Sequence, residues 1–264
     1  MTPTILNTIA AHAKERVAAD KAVLPLGSLR ETAEACPTAP SFPFESALAA
    51  PEVSFICEVK RASPSKGMIA EDFPYMTIAT DYEAAGAACI SVLTEPKWFL
   101  GHDDYLRDIR SAVSVPLLRK DFTVDEYQIY QAKLLGADAV LLICALLDQQ
   151  QLRDYIQLCD TLGLSALVEA HDETELSSAA GAGARIIGVN NRNLKDFTVD
   201  LRNSLRLREL VDKDTLFVAE SGMKTAADIA LLREGGVNGV LIGESLMRAP
   251  DKKQMLSELR GDTL

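Results

Sequence analysis

The chain has 264 residues, of which 48% are hydrophobic and 25% are charged, a balance typical of a soluble globular protein with a large core. Its 38 acidic and 27 basic residues give a formal net charge of -11. That sign argues against a general affinity for nucleic acid or for an anionic membrane, since both need a positive surface. An anionic ligand would need a local positive field, built from particular Lys and Arg side chains or from backbone amides.

The first fifty residues have a pattern of their own. Apolar residues recur there at helical spacing and predict one amphipathic helix: Ile5, Leu6, Ile9, Ala13 and Val17. Prolines then predict an extended connection: Pro37, Pro40 and Pro43. Charged residues interrupt the N-terminal stretch, which is not typical of a secretory signal, and no run of 18 apolar residues predicts a membrane span. We therefore expect a cytoplasmic protein.

The cysteines and histidines do not form the patterns of a metal site or of a disulfide framework. The five cysteines are scattered, odd in number and free of CxxC spacing: Cys36, Cys57, Cys89, Cys144 and Cys159. Three lie inside apolar runs, so we expect them to be small core residues in a reducing compartment. The three histidines, His12, His102 and His171, are far apart in the sequence, and we expect no bound metal.

From residue 53 onward, short apolar runs alternate with longer helical patterns, which is the signal for βα units and a parallel sheet. The runs predict eight strands: Val53–Val59, Cys89–Leu93, Val115–Leu118, Ala139–Cys144, Ser165–Val168, Arg185–Val189, Leu216–Ala219 and Gly239–Ile242. Five of them follow a glycine at the predicted end of a helix, as in Leu135-Gly136-Ala137. Eight strands suit a closed barrel. A doubly wound open sheet is the alternative, disfavoured because no Gly-x-Gly-x-x-Gly turn follows the first strand.

The predicted fold is therefore α/β, a (β/α)8 TIM barrel in a single domain spanning 1–264. Residues 1–50 form an N-terminal helical extension, and residues 53–264 form the barrel. In such barrels the active site lies at the C-terminal ends of the strands.

Polar residues end five of the predicted strands. Glu58 and Lys60 share one face at the end of the first strand, and Lys120, Glu169 and Asn190 follow the third, fifth and sixth. Ser221 follows the seventh strand. Strand ends are wet and often carry charge, so each residue alone has a structural explanation. Together they predict a catalytic site.

Three charged neighbours fall on the opposite parity in this scheme: Arg119, Asp121 and Glu220. We expect them to pair with nearby side chains or to meet solvent rather than to take part in chemistry.

The loops after the last two strands carry glycines that predict an anion site. Gly222 follows the seventh strand, and Gly243 and Glu244 follow the eighth. This is where (β/α)8 barrels usually bind phosphate, through backbone N–H groups and the start of a short helix. Because a carboxylate is unwelcome beside phosphate, we expect the Glu244 side chain to point away.

The chain resembles the indole-3-glycerol-phosphate synthase family over essentially its whole length. The resemblance rests on six segments: 58–67 (EVKRASPSKG), 91–95 (SVLTE), 118–122 (LRKDF), Val168-Glu169, 188–192 (GVNNR) and 219–222 (AESG). It implies a carbon–carbon lyase of tryptophan biosynthesis that needs no cofactor and no metal. It also implies an N-terminal helical extension that packs over the barrel mouth. The implied substrate is 1-(2-carboxyphenylamino)-1-deoxyribulose 5-phosphate, which closes a ring and loses carbon dioxide and water.

The resemblance also implies residue roles. Lys120 is the general acid of ring closure, Glu169 is the general base of dehydration, and Lys60 holds the substrate carboxylate and assists. How the two lysines divide the acid duty stays open. Glu58 would orient them and bind substrate hydroxyls or the amine.

Other positions are implied as substrate contacts. Ser63 would bind the anthranilate carboxylate, and Asn190 and Ser221 would position the substrate with Arg192 supporting them. Gly222, Gly243 and Glu244 mark the phosphate site. Trp98, Phe99 and Phe122 are candidates for an apolar slot around the benzene ring, although Trp98 suits a surface loop equally well.

The expected partner is a small phosphosugar, without nucleic acid or membrane, and the expected state is a monomer or weak homo-oligomer. Two alternatives stay open at this stage. A phosphosugar isomerase barrel would prefer a Cys/Asp acid–base pair, and a non-catalytic phosphate-binding barrel would have no reason to bring Lys60, Lys120 and Glu169 together.

Overall fold

The computed structural model describes residues 4–38, 41–193 and 197–262. Within them, eight parallel strands close into a barrel: β1 Ser54–Val59, β4 Cys89–Leu93, β5 Leu117–Lys120, β6 Ala139–Ile143, β7 Ser165–Ala170, β8 Ile186–Asn190, β9 Leu216–Glu220 and β10 Gly239–Ile242. Neighbouring strands follow chain order, and β1 pairs with both β4 and β10 to close the ring. Two short strands after β1, β2 Ala62–Ser63 and β3 Gly67–Met68, form an antiparallel hairpin. The prediction of an eight-stranded closed barrel is confirmed.

Helices precede, link and follow the strands. They are α1 Ile5–Val23, α2 Leu26–Glu34, α3 Pro43–Leu48, α4 Tyr75–Ala84, α5 Asp103–Ala112, α6 Glu126–Leu135, α7 Gln149–Leu162, α8 Glu173–Gly181, α9 Arg202–Arg208, α10 Ala226–Glu234, α11 Glu244–Arg248 and α12 Lys252–Arg260. Several begin at a side chain that caps the first free N–H groups, as Asp148 does in a capping box with Gln151. None of the described helices is both long enough and apolar enough to cross a membrane.

Helix ends obey the predicted glycine rule. Gly136 has φ 83° and Gly163 has φ 69° directly after α6 and α7. A left-handed residue there stops the helix and turns the chain into the next strand at no steric cost to glycine.

The third predicted strand starts later than expected. The prediction began at Val115, whereas β5 spans Leu117–Lys120. Pro116 explains the late start, because proline has no N–H to donate to a parallel ladder. The strand also ends later than predicted and includes Lys120. Since Leu118 faces the barrel interior, Lys120, two residues later, faces inward as well.

Strand side chains alternate between two cores. One core lies between the sheet and the helices, and Tyr82, Ile129 and Phe217 are among its members. The other fills the barrel interior and includes Ile56, Leu118, Leu141, Leu167, Ile186, Val218 and Leu241. Because the interior is filled by these layers, the barrel is closed below its C-terminal mouth, and only residues above the layers can line a cavity.

The N-terminal extension is divided between the two ends of the barrel. Helix α1 lies at the mouth, where Leu6 packs on the interior core. Helix α3 lies at the opposite end, where Phe44 and Leu48 are fully buried against the interior core. The expected packing of the extension over the mouth is found for α1, while α3 lies at the opposite end. The expected extended connection is also shorter than predicted, since Pro43 starts α3; Pro40 lies outside the described residues.

The cysteines are located as core residues. Cys57, Cys89, Cys144 and Cys159 are buried and unpaired, and Cys36 is half-buried. Among the described residues, no group of three or more His, Cys, Asp or Glu side chains could hold a metal ion.

Candidate active site

A cavity of about 660 Å³ opens at the C-terminal ends of the strands. Its lining brings together thirteen of the fourteen candidate site residues predicted from the sequence: Glu58, Lys60, Ser63, Phe99, Lys120, Phe122, Glu169, Asn190, Arg192, Ser221, Gly222, Gly243 and Glu244. Such a volume suits a small molecule. Helix α1 contributes Ile5, Leu6 and Ile9 to the same cavity, so the extension forms part of its wall.

The end of β1 supplies a carboxylate that contacts both lysines. Glu58 is 3% exposed and accepts a short hydrogen bond from Lys60. Its other oxygen lies 3.7 Å from Nζ of Lys120 and 3.5 Å from the Ser91 hydroxyl. Burial alone would raise the pKa of Glu58, but the charges of Lys60 and Lys120 outweigh it and hold the pKa below its usual value. Glu58 is thus an ionised bridge between the two cations.

Lys120 and Glu220 form a second buried pair. Nζ of Lys120 donates to Oε2 of Glu220 over 3.0 Å, and Glu220 is 2% exposed. The prediction that Glu220 lies on the outward parity is wrong: Val218 and Glu220 both face the interior, and Glu220 lines the cavity. The alternation was misassigned because the strand ends at Glu220, and Ser221 begins a turn with φ 66°. Both residues can therefore face the cavity.

Neighbouring carboxylates keep Lys120 in its charged form. Burial favours the neutral amine, yet the carboxylates of Glu220, Glu58 and Glu169 together raise the pKa of Lys120 above its ordinary value. Lys120 is therefore a fully charged hydrogen-bond donor in the cavity.

Glu220 shows the reverse effect. Burial, together with the nearby carboxylates of Glu169 and Glu58, raises the pKa of Glu220, although Lys120 opposes the shift.

Glu169, at the end of β7, is the third buried carboxylate of the cavity after Glu58 and Glu220, and it is 4% exposed. Oε1 of Glu169 lies 3.4 Å from Nε2 of His171. Although burial opposes its charge, a hydrogen bond to Glu175 and the charge of Glu169 raise the pKa of His171 to about 9. His171 is not among the site residues predicted from the sequence.

An apolar wall closes one side of the cavity. The rings of Phe99 and Phe122 lie 6.0 Å apart and both line the cavity. Trp98 does not line it. Glu95, fully buried, accepts from the backbone amides of Lys97, Trp98 and Phe99, and this turn directs Trp98 toward α1, where it meets His12 edge-on. The substrate-contact expectation for Trp98 is therefore not supported by its placement.

The predicted phosphate site forms the other end of the lining. A Cβ on Gly243 would lie 2.5 Å from Oε2 of Glu58 and 2.8 Å from Nζ of Lys60, so any larger residue here would displace the ends of this ion pair. The Glu244 carboxylate is directed to Lys66, at 3.4 Å, and to Arg248, at 3.3 Å. These pairs turn the carboxylate's charge toward cations.

The loop after β8 is organised by backbone contacts. The Asn190 side-chain oxygen accepts from the backbone N of Arg192, and the Arg192 guanidinium donates to the carbonyl of Phe197. Both side chains line the cavity. The support expected from Arg192 thus runs through its own loop, with no contact to Ser221 given by the structure.

The two remaining charged neighbours act as anchors. Arg119 is buried on the outward side and donates to Asp103, to Thr94 and to the carbonyl of Gln128. Asp121 is 2% exposed and receives two hydrogen bonds from Arg16 of α1, at 2.7 and 3.2 Å. Burial would raise the pKa of Asp121, but Arg16 and Arg119 hold it below its usual value. This pair fixes α1 at the mouth.

The chain was compared with known proteins. The family model described as "Indole-3-glycerol phosphate synthase" matches residues 6–259. A protein of that name from Ruminiclostridium cellulolyticum is 58% identical over 257 residues, covering 97% of this chain and 99% of the relative. Another, from Lachnoclostridium phytofermentans, is 51% identical over 97% of this chain and 98% of the relative.

Solved structures add evidence on the fold alone. A structure titled 3-hexulose-6-phosphate synthase superposes with a TM-score of 0.65 at 16% identity, covering 79% of this chain and 99% of that one. Thiamine phosphate pyrophosphorylase from Pyrococcus furiosus gives a TM-score of 0.59 at 16% identity, covering 80% and 95%. The family match spans the barrel and the mouth residues together, and on that ground the chain belongs to the indole-3-glycerol phosphate synthase family and is an enzyme that forms indole-3-glycerol phosphate.

Proposed function

We propose that Lys120 is the general acid and Glu169 the general base of this reaction, acting on 1-(2-carboxyphenylamino)-1-deoxyribulose 5-phosphate. The observation that carries the proposal is the position of Lys120. Its ammonium group is held within the cavity by buried carboxylates from two other strands, Glu220 of β9 and Glu58 of β1. A charge fixed in that way is aimed before substrate arrives, which is the condition for effective electrostatic catalysis.

Ring closure needs a strong electrophile. The attacking atom is an aromatic carbon, which is a weak nucleophile, so the ketone must be polarised as the carbon–carbon bond forms. Charge develops on the carbonyl oxygen, and a charged Lys120 stabilises it and transfers a proton to it. The high pKa of Lys120 is no obstacle, because the acceptor is an oxygen that is becoming an alkoxide, a far stronger base than the carbonyl of the ground state.

The second half of the reaction restores aromaticity. The carboxylate leaves the ring carbon as carbon dioxide, and the new hydroxyl leaves as water. Dehydration also requires that a proton be removed from the substrate, and Glu169, which lines the cavity, accepts it. We assign two roles to Lys60, which is bonded to Glu58: binding of the substrate carboxylate before closure and protonation of the departing hydroxyl.

The remaining groups orient the two ends of the substrate. Phe99 and Phe122 contact the benzene ring, and Ser63 is placed for the carboxylate end. The phosphate lies against the backbone N–H groups near Gly222 and Gly243, as glycine amides suit anions. Asn190, Arg192 and Ser221 contact the ribulose hydroxyls between the two ends.

A product assay with two matched variants tests these roles. Formation of the indole chromophore is followed by fluorescence with purified protein and no added metal. Lys120→Met should lower kcat by about 10²- to 10⁴-fold, the usual contribution of a general acid, with a small change in KM. Lys253→Met, at an exposed position on α12, should behave as wild type.

Two results would contradict the proposal. One is the absence of indole product from wild type at high enzyme concentration. The other is a Lys120→Met variant with near-normal kcat and a large rise in KM, because that split assigns the residue to binding. Lys60→Met is expected to raise KM more than Lys120→Met does, which separates the two lysines.

A further inference from the structure

We propose that His171 is a positioning residue for Glu169, and that its imidazolium keeps the Glu169 carboxylate ionised and oriented at the cavity wall. The inference deepens the proposed function, since the contact affects turnover only if Glu169 is the general base. His171 follows Glu169 by two residues, after the end of β7, and is not part of the cavity lining. It therefore acts through Glu169 and does not touch the substrate.

The imidazole ring is held from behind. Oε2 of Glu175, on α8, accepts from the backbone N of His171 over 2.8 Å and lies 3.0 Å from Nδ1 of the ring. The Asn203 amide donates to the His171 carbonyl over 3.1 Å. These contacts fix the ring so that its other nitrogen, Nε2, faces the barrel mouth.

Nε2 of His171 lies close to the Glu169 carboxylate. It is a buried atom with no hydrogen-bond partner within the usual limits in the described part of the chain, yet it lies 3.4 Å from Oε1 of Glu169. An unpaired polar atom in such a place is costly. A small movement of either side chain, as ligand fills the cavity, would convert this approach into a charge-assisted hydrogen bond.

The protonation state follows from the two contacts. If Nδ1 donates to Glu175, a neutral ring must present the lone pair of Nε2 to the Glu169 carboxylate, which is repulsive. A protonated ring presents an N–H instead. The carboxylates that face the ring come from three elements, Glu175 of α8, Glu169 of β7 and Glu220 of β9, and all favour the protonated form against the effect of burial.

The barrel mouth has three buried carboxylates and two lysines beside them, and a charged His171 supplies the third cation. Glu58, Glu169 and Glu220 are each less than 5% exposed, and the buried cations beside them are Lys60 and Lys120. Lys60 bonds to Glu58, and Lys120 bonds to Glu220. Glu169 is the carboxylate for which neither lysine provides a direct hydrogen bond in the structure. Without a third cation, the Glu169 carboxylate would be a buried charge with no direct partner among these cations, which is costly. A protonated Glu169 could not act as a base.

The test compares His171→Gln and His171→Leu with wild type across pH. Glutamine keeps a donor without the charge, and leucine keeps neither. An opposite charge at this range lowers the pKa of a carboxylate by about one unit or more, so its removal should move the acidic limb of the kcat profile up by about one pH unit in His171→Leu. Along that limb kcat should fall about tenfold, with a smaller loss at higher pH and with KM within about twofold of wild type. His102→Gln, at an exposed histidine on the N-cap of α5, is the matched control and should leave the profile unmoved.

A second measurement does not depend on turnover. The imidazole of His171 is titrated by nuclear magnetic resonance in wild type and in Glu169→Gln, where the midpoint near pH 9 should fall. An unmoved midpoint would overturn the proposal whether or not product forms. So would an unmoved acidic limb in both His171 variants, or an equal loss of rate at every pH together with a lower melting temperature. Absence of product from wild type would instead contradict the proposed function.

Discussion

The pair between Arg16 and Asp121 predicts that the N-terminal helix can be loosened by one substitution. Arg16→Met removes two hydrogen bonds to a carboxylate that is 2% exposed, and it leaves the methylene stem to pack. Removing one partner of a fully buried pair costs about 3–5 kcal/mol, because the other charge is left without compensation. The cost should be smaller here. The Arg16 side chain is 23% exposed, and Asp121 keeps Thr94 at 2.8 Å and Arg119 at 3.9 Å.

A loss of about 2 kcal/mol in the free energy of unfolding is therefore expected at pH 7. For a chain of this size that corresponds to a drop of roughly 4–8 °C in melting temperature. Since α1 carries Ile5, Leu6 and Ile9 of the cavity wall, KM should rise several-fold while kcat changes less. Arg107→Met is the control, because that arginine pairs with Asp104 at the exposed surface, where such pairs contribute little.

The stabilisation by the Arg16–Asp121 pair should depend on pH in a definite direction. The folded pKa of Asp121 is held below the unfolded value of about 3.9. A depressed acid pKa stabilises the fold at pH above the unfolded value, and that contribution is lost as pH falls through the folded value. The free energies of urea unfolding of wild type and Arg16→Met should therefore differ most above about pH 5 and converge as pH falls through the depressed pKa of Asp121. Equal unfolding free energies at pH 7, or a difference that grows on acidification, would refute the reasoning.

Two further substitutions probe the ion pairs of the mouth. Glu220→Gln removes the carboxylate closest to Lys120, so burial is less opposed and the pKa of Lys120 should fall. The basic limb of the kcat profile should then move to lower pH, and a limb at the wild-type position would contradict this. Gly243→Ala puts a Cβ 2.5 Å from the Glu58 carboxylate and should lower kcat/KM by about 10-fold or more, while Gly27→Ala, which meets nothing within 4 Å on helix α2, should not. Steady-state kinetics with equal melting temperatures would attribute the Gly243 effect to the site.

The barrel was predictable from the sequence because its signals are local and repeated. Each strand is a short apolar run bounded by a helix stop, so the strand count and most strand bounds follow from composition within windows of a few residues. Inward parity was equally local inside a strand, which is why Glu58, Lys60, Lys120 and Glu169 were found together. The position of α3 beneath the barrel was not local. It depends on Phe44 filling a space that only the closed barrel creates.

The misplacements share a physical origin. Glu220 was assigned to the wrong face because the two-residue alternation was extended past the end of β9, where Ser221 adopts a left-handed backbone. Trp98 was a reasonable aromatic candidate until the Glu95 carboxylate, bound by three successive amides, set the direction of that turn. The spacing of residues in the sequence shows neither where a strand ends in a left-handed turn nor where a hydrogen-bond acceptor lies. The inward position of Glu220 and the direction of Trp98 could therefore not be predicted from it. Charge balance at the mouth, which draws attention to His171, likewise requires distances.

The ionisation of Glu220 shows what the site costs the fold. Its folded pKa is raised above the unfolded value of about 4.3. A raised acid pKa means that the group's contribution to stability is complete below the unfolded value and is lost as pH rises through the folded one. Because burial raises the pKa of Glu220 to about 7, its ionisation near neutral pH destabilises the barrel, even with Lys120 beside it. The same negative charge that opposes folding helps to keep Lys120 protonated, as the proposed general acid must be.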